Sequence, residues 1–591
     1  TTRVEGRWEQ KTSDGVARVE LDEPLPAGRS TLHIEYTAPF DTPLRGLYRV
    51  KAGAEVYAFT QFESISARLA FPSFDEPRFK TPFEVTLTVP ADQFVAANTP
   101  VDRAIALPNG LQRVSFVTTP PIPTYLLAFA VGPFDVVAGA TIPPNDGRPF
   151  PIPLRGIAVK GKGASLQLAL EQTAQYVEAL EDYFGIPYPY RKLDLVAVPD
   201  FAAGAMENVG LITFREWLLL LDAERATEGQ RRAFAYVMAH ELAHQWFGNL
   251  VTPADWKYLW LNESFATYFG NGVVAHYYPQ WETWQQFLLG STGGAMARDA
   301  LLENFAIEIP GGEHVVINVS TAPIIYSKGG SILRQIEGYI GAENFKKGLR
   351  DYLITHEYDT AASHNLWEAF EQVSQQPIGR MMKSWIEQAG FPMISVKKEG
   401  NRLQLSQQRF SYLPADSDQS WEVPVTIRFF SGAAETGRQA FLMNSARHEI
   451  ELPQQTDAYK LNDQQTGFYI VRYQDTENLA ALGRLVADQS LAPEDRWGLQ
   501  NDLFSLCKCG DIPFSNYLDF LSFYRDENAF LPLVSISNNL QHAYLVMGGE
   551  QKEKISSLVR PWFEKVLKHI GFQPRPDEKH TTAILREQLL W

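Results

Sequence analysis

Cysteine is nearly absent from this chain, which has two among 591 residues. They are Cys507 and Cys509, one residue apart, and cysteines this close in sequence rarely bridge each other. So few cysteines in a chain of this length exclude a protein built on disulfides. We expect two free thiols and a cytoplasmic location.

Long apolar runs and an excess of positive charge are also missing. The apolar stretches at 125–131 and 217–221 are far shorter than the roughly 18 residues of a membrane-spanning helix, so we expect no membrane segment. Lysine and arginine number 53 against 69 aspartates and glutamates, a net charge of −16. This balance excludes nucleic acid and anionic membrane surfaces as expected partners, and it favours cationic ligands.

One stretch, residues 237–249, carries a metal-binding pattern. It contains His240, Glu241 and His244 in the order H-E-x-x-H. Residues four apart share a helix face, so both imidazoles can reach one metal ion. Glu241 lies beside that ion without having to bind it, where it can take a proton from a water that the metal activates.

The surrounding sequence predicts that this stretch is helical. Thr227 and Gln230 fit a capping box at the start of a helix. Residues 233–247 contain neither proline nor glycine, and their apolar residues have helical spacing. Gly248 then predicts the end of the helix.

A hydrolytic metal site needs a third ligand, and Glu263 is the candidate. It lies in the apolar segment 260–266, and residues 245–262 separate it from His244. Two histidines and one glutamate leave a fourth position open, as in catalytic rather than structural zinc sites. Two alternatives stay open at this point: a chance match to H-E-x-x-H, and a glutamate that only favours a helix dipole.

Three motifs together resemble the aminopeptidase N family of zinc metallopeptidases, which includes alanyl and leucyl aminopeptidases. They are H-E-L-A-H-Q-W-F-G-N at 240–249, W-L-N-E-S-F-A at 260–266 and G-A-M-E-N at 204–208. The similarity runs from Gln61 to Trp591. One departure is Ser264, where the family usually has glycine. The resemblance implies one Zn²⁺ per chain and peptide substrates with a free N-terminus.

The resemblance also implies a role for each site residue. The metal ligands are His240, His244 and Glu263, and the catalytic residues are Glu241 as general base and Tyr326 as donor to the oxyanion. The residues implied to bind substrate are Glu63, Gly204, Ala205, Met206, Glu207 and Asn208. Without the resemblance, the sequence would indicate only a solvent-facing strand carboxylate at Glu63. It would likewise indicate an ordinary turn at 204–208 and a packed aromatic side chain at Tyr326. Ala203 and Met206 are expected to line the first side-chain pocket.

The patterning predicts a multidomain α+β protein. We expect an N-terminal β-sheet domain at 1–145, where segments such as 17–21 and 30–36 alternate apolar and polar residues. A thermolysin-like α/β catalytic domain at 146–391 and a small β-sandwich at 392–474 should follow. A helical domain at 475–591, with one helix starting at Pro561, completes the chain. Both ends appear cut, so we expect a fragment of a longer protein.

The function predicted is zinc-dependent removal of the N-terminal residue from peptides. A thermolysin-like endopeptidase would share the zinc ligands but would not need Glu63 or G-A-M-E-N. An epoxide hydrolase with aminopeptidase activity and a catalytically silent peptide-binding scaffold are further alternatives. The sequence does not indicate the oligomeric state or the N-terminal residue that is preferred for removal.

Overall fold

The computed structural model describes residues 3–13, 15–309, 317–575 and 578–590. The first part of the chain is built of strands joined by short turns. They are β1 (Gly6–Gln10), β2 (Ala17–Leu21), β3 (Gly46–Ala52), β4 (Glu55–Gln61), β5 (Thr86–Pro90), β6 (Phe94–Ala97), β7 (Val101–Leu107), β8 (Leu111–Phe116) and β9 (Phe129–Gly132).

These strands form three antiparallel sheets, β1-β2, β3-β4-β9-β6 and β5-β8-β7. Segment 17–21 is a strand as predicted, but segment 30–36 is not. Alternation predicts a strand only where one face can be buried, and most of 30–36 lies exposed in the structure.

The middle of the chain alternates strands with helices and then becomes helical. Its elements are β10 (Phe134–Ala138), β11 (Leu154–Val159), α1 (Gln167–Phe184), β12 (Leu193–Val198), β13 (Ala205–Met206), β14 (Leu211–Arg215), α2 (Glu216–Leu219), α3 (Glu228–His244), β15 (Thr252–Pro253), α4 (Trp260–Tyr277), α5 (Thr283–Gln286), α6 (Gly293–Asp299), α7 (Gly329–Ile340), α8 (Ala342–Thr355), β16 (Thr360–Ala361), α9 (Ser363–Ser374) and α10 (Ile378–Ile386). Two π-helical turns, Phe287–Thr292 and Pro323–Lys328, precede α6 and α7.

One sheet supports the site, with strand order β10-β11-β12-β14-β13. Its three central strands are parallel and both edge strands are antiparallel to them. Every residue of β12 is buried, as expected for a parallel strand covered on both faces. Since β10 belongs to this sheet, the sheet reaches back before residue 146, where we expected the domain to begin. The short strand β13 is left at the open edge.

Helix α3 begins as the sequence predicts but ends at His244, four residues before the stop that was expected at Gly248. The Thr227 side chain accepts from the Gln230 backbone N–H at 3.2 Å, and the Gln230 side chain accepts from the Thr227 N–H at 2.9 Å. The chain turns at Gly248, whose φ of +120° lies in the region that favours glycine. A side chain there would also lie 3.0 Å from Asn262 Cγ, so Gly248 lets α4 approach the end of α3.

The last part of the chain contains two sheets followed by helices. The strands are β17 (Pro392–Glu399), β18 (Arg402–Arg409), β19 (Val423–Ser431), β20 (Ala434–Met443), β21 (Arg447–Glu451), β22 (Ala458–Leu461) and β23 (Ile470–Tyr473), in the orders β21-β18-β17-β23 and β20-β19-β22. The helices are α11 (Thr476–Ala487), α12 (Pro493–Lys508), α13 (Phe514–Phe520), α14 (Phe530–Val546), α15 (Gly549–Ile570) and α16 (His580–Leu590).

The predicted helix start at Pro561 is wrong, because α15 begins at Gly549 and holds Pro561 in its interior. Buried Ile555 lies before the proline, and buried Trp562, Phe563 and Val566 lie after it. This continuous apolar face packs α15 against its neighbours, and tertiary packing of that kind overrides the local cost of a proline.

Short 3₁₀ turns connect several of these elements, at Ala67–Leu69, Pro108–Gly110, Thr124–Leu126, Gly163–Leu166, Trp256–Tyr258, Pro279–Trp281, Asp463–Gln465 and Leu521–Tyr524. One apolar core runs from the sheet of β3 and β4 through α3 and α4 into the sheets of β17 to β23, and a second one joins α11 to α16. Cys507 and Cys509 are free. In the described ranges, every helix is too short or too polar to cross a membrane.

A buried ion pair stabilises the face of the sheet that carries the helices. The Arg148 guanidinium bonds both carboxylate oxygens of Glu181 in α1, at 3.1 and 3.3 Å, and also the carbonyls of Phe150 and Pro143. Both side chains are almost fully buried, at 2 % and 5 % exposure. Removing one partner of such a pair leaves an uncompensated buried charge.

We expect Arg148→Met to lower the free energy of unfolding by about 3–5 kcal/mol, measured by urea denaturation followed through tryptophan fluorescence. Lys554→Met is the control, because Lys554 pairs with Glu550 on an exposed helix surface, where such pairs contribute about 0.5 kcal/mol or less. Equal effects of the two substitutions would contradict this account of the buried pair.

Candidate functional site

Helices α3 and α4 bring the predicted metal ligands together. The Nε2 atoms of His240 and His244 lie 3.2 Å apart, and Glu263 Oε2 lies 3.4 Å from the first and 3.5 Å from the second. One ligand atom from each of the three residues lies within 4.8 Å of the others, and all three residues are buried. His240 and His244 share a face because they are one helical turn apart, and Glu263 reaches them from the first turn of α4.

The donor set fits a divalent metal such as zinc. Two imidazole nitrogens and one carboxylate oxygen converge, which is the ligand set of hydrolytic zinc sites. The Nδ1 of His244 lies 3.1 Å from the Phe247 carbonyl oxygen, so a proton on Nδ1 leaves Nε2 free to bind a metal. The sequence-based prediction that these three residues lie together is therefore met in the geometry.

The electrostatics of the ligand group favour an ionised Glu263. Burial alone would raise the pKa of this carboxyl, but hydrogen bonding from His240 and His244 outweighs burial and lowers the pKa to about 2. Burial lowers the pKa of His240. His244 differs, because although burial lowers its pKa, the charges of Glu207 and Glu263 outweigh burial and raise the pKa to about 10, so a metal ion would displace a proton from this imidazole.

Glu241 lies in α3 next to His240 and lines the same cavity. Its side chain is buried, and its Oε2 makes no hydrogen bond to any residue in the described part of the chain. Burial raises the pKa of Glu241 well above its ordinary value; Glu207 and Glu263 add to this effect, while His244 opposes it. A carboxylate with a raised pKa is suited to take up a proton.

The segment 204–208 includes the edge strand of the sheet. Its Ala205 and Met206 are β13, which pairs with β14, and no other strand in the described ranges pairs with its second edge. Gly204, Ala205 and Glu207 line the cavity, but Met206 and Asn208 do not and are buried behind its wall. Successive residues of a strand point to opposite faces. This alternation explains why Ala205 and Glu207 line the cavity while Met206 and Asn208 do not.

The two buried residues of this segment support the cavity wall from behind. Met206 Sδ accepts a hydrogen bond from Gln61 at 3.3 Å, and Asn208 Nδ2 donates to Thr213 at 3.3 Å. Ala203 lines the cavity, as predicted for the first pocket.

Glu63 and Glu207 give one end of the cavity a negative charge. Each has one carboxylate oxygen that is buried and makes no hydrogen bond in the part of the chain that is described. Burial is the main reason why the pKa of each is raised; Glu207 and Glu263 raise that of Glu63 further, and Glu263 raises that of Glu207. Such acids gain most from a bound cation with N–H donors.

Glu207 is held by its backbone from α3 and the turn that follows. Its carbonyl oxygen accepts from Gln245 Nε2 at 2.9 Å and from Asn249 Nδ2 at 2.8 Å. Sequence reasoning missed these two supports. Both residues lie inside the H-E-L-A-H-Q-W-F-G-N motif, yet a motif does not reveal which distant carbonyl its amides will bind.

Tyr326 lies in the π-helical turn Pro323–Lys328 and reaches the metal ligands. Its ring stacks with the His240 ring at a centroid distance of 6.1 Å and an angle of 8°. Burial raises the pKa of Tyr326 well above its ordinary value, and the charge of Glu263 is the next cause. Tyr326 is therefore a protonated hydroxyl facing the same group of side chains.

One cavity of about 890 Å³ is lined by the three metal-ligand candidates and by Glu63, Glu207, Glu241 and Tyr326. The sequence analysis did not predict several of its other lining residues, namely Arg45, Gln61, Ile65, Tyr236, Val237 and Leu259. Five of them lie within four residues of a predicted site residue. Arg45 does not, and no pattern in the sequence marks it.

Three family descriptions match this chain. The Peptidase M1 N-terminal domain matches residues 1–126, the Peptidase family M1 domain matches residues 168–385, and the ERAP1-like C-terminal domain matches residues 458–591. The chain thus has an N-terminal domain, a catalytic domain and a C-terminal helical domain.

Curated relatives match nearly the whole chain. Aminopeptidase M1-A of Oryza sativa subsp. japonica is 35 % identical over 98 % of this chain and 66 % of its own length. Aminopeptidase M1 of Arabidopsis thaliana is 35 % identical over 98 % of this chain and 67 % of its own length. Tricorn protease-interacting factor F2 of Thermoplasma acidophilum is 36 % identical over 88 % and 63 %.

This chain spans about two thirds of the length of the relatives that it matches. The three family matches follow one another along the chain. The matching family consists of peptidases with a metal cofactor, and the group of His240, His244 and Glu263 is suited to hold a metal. The chain therefore belongs to peptidase family M1.

Proposed function

We propose that the chain is a zinc-dependent aminopeptidase that hydrolyses the N-terminal residue from peptides. The observation that carries the proposal is the position of Glu63 and Glu207, whose carboxylates line the same cavity as Glu241 and the metal-ligand group. A peptide ammonium bound by these two acids would place its first peptide bond, and no later one, beside the ligands. Specificity for the chain end is then a matter of distance.

We assign one Zn²⁺ to His240, His244 and Glu263. When bound, this ion supplies a Lewis acid that activates water and polarises the peptide carbonyl. Glu241 takes a proton from the attacking water and passes it to the leaving amine, as its raised pKa allows. Tyr326 donates a hydrogen bond to the oxyanion that forms.

The substrate main chain is assigned to the free edge of β13. Gly204 and Ala205 leave this backbone accessible, so an extended peptide can pair with it. Met206 and Asn208 act from behind the wall, while Ala203 contributes to the pocket for the first side chain. The small side chain of Ala203 leaves room for large apolar residues there.

We also propose the finer division of the chain into four domains, expected at 1–145, 146–391, 392–474 and 475–591, with the first boundary moved back before Phe134 because β10 belongs to the sheet of the catalytic domain. The parallel sheet with α3 and α4 supports a thermolysin-like catalytic domain, and the paired sheets of β17 to β23 support a β-sandwich. The two free cysteines support a cytoplasmic location, since a reducing compartment keeps thiols free.

An endopeptidase with the same zinc ligands is the second candidate function, because its zinc site would be the same. Hydrolysis of leucine p-nitroanilide and of its N-acetylated twin separates the two. We expect kcat/KM to be at least about 100-fold higher for the free amine, since acetylation removes the charge that Glu63 and Glu207 bind. Treatment with 1,10-phenanthroline should abolish turnover, and added zinc should restore it. Equal cleavage of both compounds would favour the endopeptidase.

Glu241→Gln tests the general base. We expect kcat to fall by roughly 10²–10⁴-fold, because proton transfer by a positioned carboxylate contributes about that much. The zinc content, measured by atomic absorption, should stay the same because Glu241 is not a ligand. Exposed Glu224→Gln is the matched control and should change kcat less than about twofold. Near-full activity of Glu241→Gln would contradict this mechanism, whereas absence of turnover in the unaltered chain would favour a silent scaffold.

Glu207→Gln tests the binding of the N-terminus. The substitution keeps the shape but removes the charge, so we expect kcat/KM for leucine p-nitroanilide to fall by roughly 10–100-fold. The loss should appear mainly in KM, measured by steady-state kinetics with zinc at saturation. Glu216→Gln in nearby α2, outside the cavity lining, is the control. An unchanged KM would leave Glu207 without a role in binding.

A further inference from the structure

Ser264 directly follows the ligand Glu263 in α4 and is completely buried. A buried helical serine commonly donates to a carbonyl in the preceding turn of its own helix. Ser264 instead donates its hydroxyl to the Ile325 carbonyl oxygen at 2.6 Å, in the π-helical turn Pro323–Lys328. Its hydrogen bond therefore joins two separate elements.

The two ends of this bond lie next to two functional groups. Ser264 is one residue from Glu263, and Ile325 is one residue from Tyr326. Tyr326 in turn stacks with His240 and faces Glu263. The hydrogen bond thus closes a short loop of contacts that connects the backbone of Tyr326 to the backbone of a metal ligand.

The packing around Ser264 leaves its side chain little freedom. A Cβ at Gly329 would lie 1.8 Å from Ser264 Oγ and 2.8 Å from Ser264 Cβ, so this glycine makes room for the serine. The start of α7 and the first turn of α4 therefore approach each other at Ser264, and the hydroxyl is held towards Ile325.

The far end of the π-helical turn is held independently. Lys328 forms an ion pair with Asp299 at 2.9 Å and donates to the Gly390 carbonyl at 3.0 Å, and both charged side chains are fully buried. These contacts hold the turn against α6 and the residues before β17, but they do not join it to α4. Towards α4, the Ser264 hydroxyl bonds the backbone of this turn, and the Tyr326 side chain faces Glu263.

Resting on the proposed aminopeptidase function, we propose that Ser264 is a positioning residue for Tyr326. Its hydroxyl fixes the turn so that the Tyr326 hydroxyl keeps its place relative to Glu263, where it can donate to the oxyanion. Such a donor contributes to catalysis only when it lies within a few tenths of an ångström of the developing charge. The role is to set this distance, not to touch the substrate.

Ser264→Ala is the first test, with leucine p-nitroanilide as substrate. We expect kcat to fall about tenfold, because part of the stabilisation from an oxyanion donor is lost, while KM changes less than about twofold. Ser331→Ala is the matched control. Ser331 is also a buried serine that donates to a carbonyl of this turn, that of Ser327 at 2.8 Å, but this bond stays within one helical run, and its other contact, with Thr292 Oγ1 at 2.9 Å, does not reach α4. It should change kcat less than about twofold.

A double-mutant cycle with Tyr326→Phe separates positioning from a general structural effect. Once the Tyr326 hydroxyl is gone, adding Ser264→Ala should lower kcat by less than about twofold more. An equal fall in both backgrounds, or a kcat for Ser264→Ala equal to that of the unaltered chain, would overturn the proposal.

Inhibitor binding gives a readout that does not depend on turnover. A phosphonate analogue of the tetrahedral intermediate should bind Ser264→Ala about tenfold more weakly, whereas free leucine should bind equally well, both measured by calorimetry. Equal weakening of both ligands would contradict the proposal. Failure of the aminopeptidase function itself would show differently, as absence of turnover in the unaltered chain.

Discussion

Four carboxylates enclosed in one cavity are the constraint on which the rest of this structure depends. Glu63, Glu207, Glu241 and Glu263 all line this cavity, and like charges held this close repel one another. Two histidines and a divalent cation can offset part of this charge, and a substrate ammonium can offset more. The cavity is therefore poised to bind positive groups, and its chemistry follows from which carboxylate each group meets.

A site with this much internal repulsion has to be held by the surrounding fold. Helix α3 carries three of the functional side chains, and the Gln245 and Asn249 amides bind the backbone of Glu207. The approach of α4 depends on Gly248, and the turn that carries Tyr326 is fixed at one end by Lys328 and at the other by Ser264. The backbone of Glu207 is thus positioned by contacts that do not depend on the protonation of its side chain.

The sequence predicted the helical parts of the site well, because their signals are local. The Thr227 capping box and the spacing of His240 and His244 each act within a few residues, whereas the end of α3 at His244 comes four residues before the predicted stop. The start of α15 was missed because a proline rule is local, whereas burial of Ile555 and Trp562 depends on packing. Segment 30–36 failed for the same reason, since alternation does not reveal whether a partner covers one face.

The remaining parts of the site depend on contacts between distant segments. No pattern in the sequence could show that Ser264 binds Ile325, or that Met206 and Asn208 lie behind the cavity wall. Resemblance placed 204–208 near the substrate as a block, but only the pairing of β13 with β14 decides which of its side chains face inward. Strand register is a tertiary property, so it had to come from the structure.

The edge strand β13 has a consequence for how a long peptide would be shortened under the proposed activity. Neighbouring residues of a paired strand point to opposite faces, so a shift by one residue turns every side chain to the other side. After one residue is removed, the shortened peptide cannot slide forward by one position while it stays paired with β13. It has to leave the edge, rotate and pair again, which makes trimming distributive rather than processive.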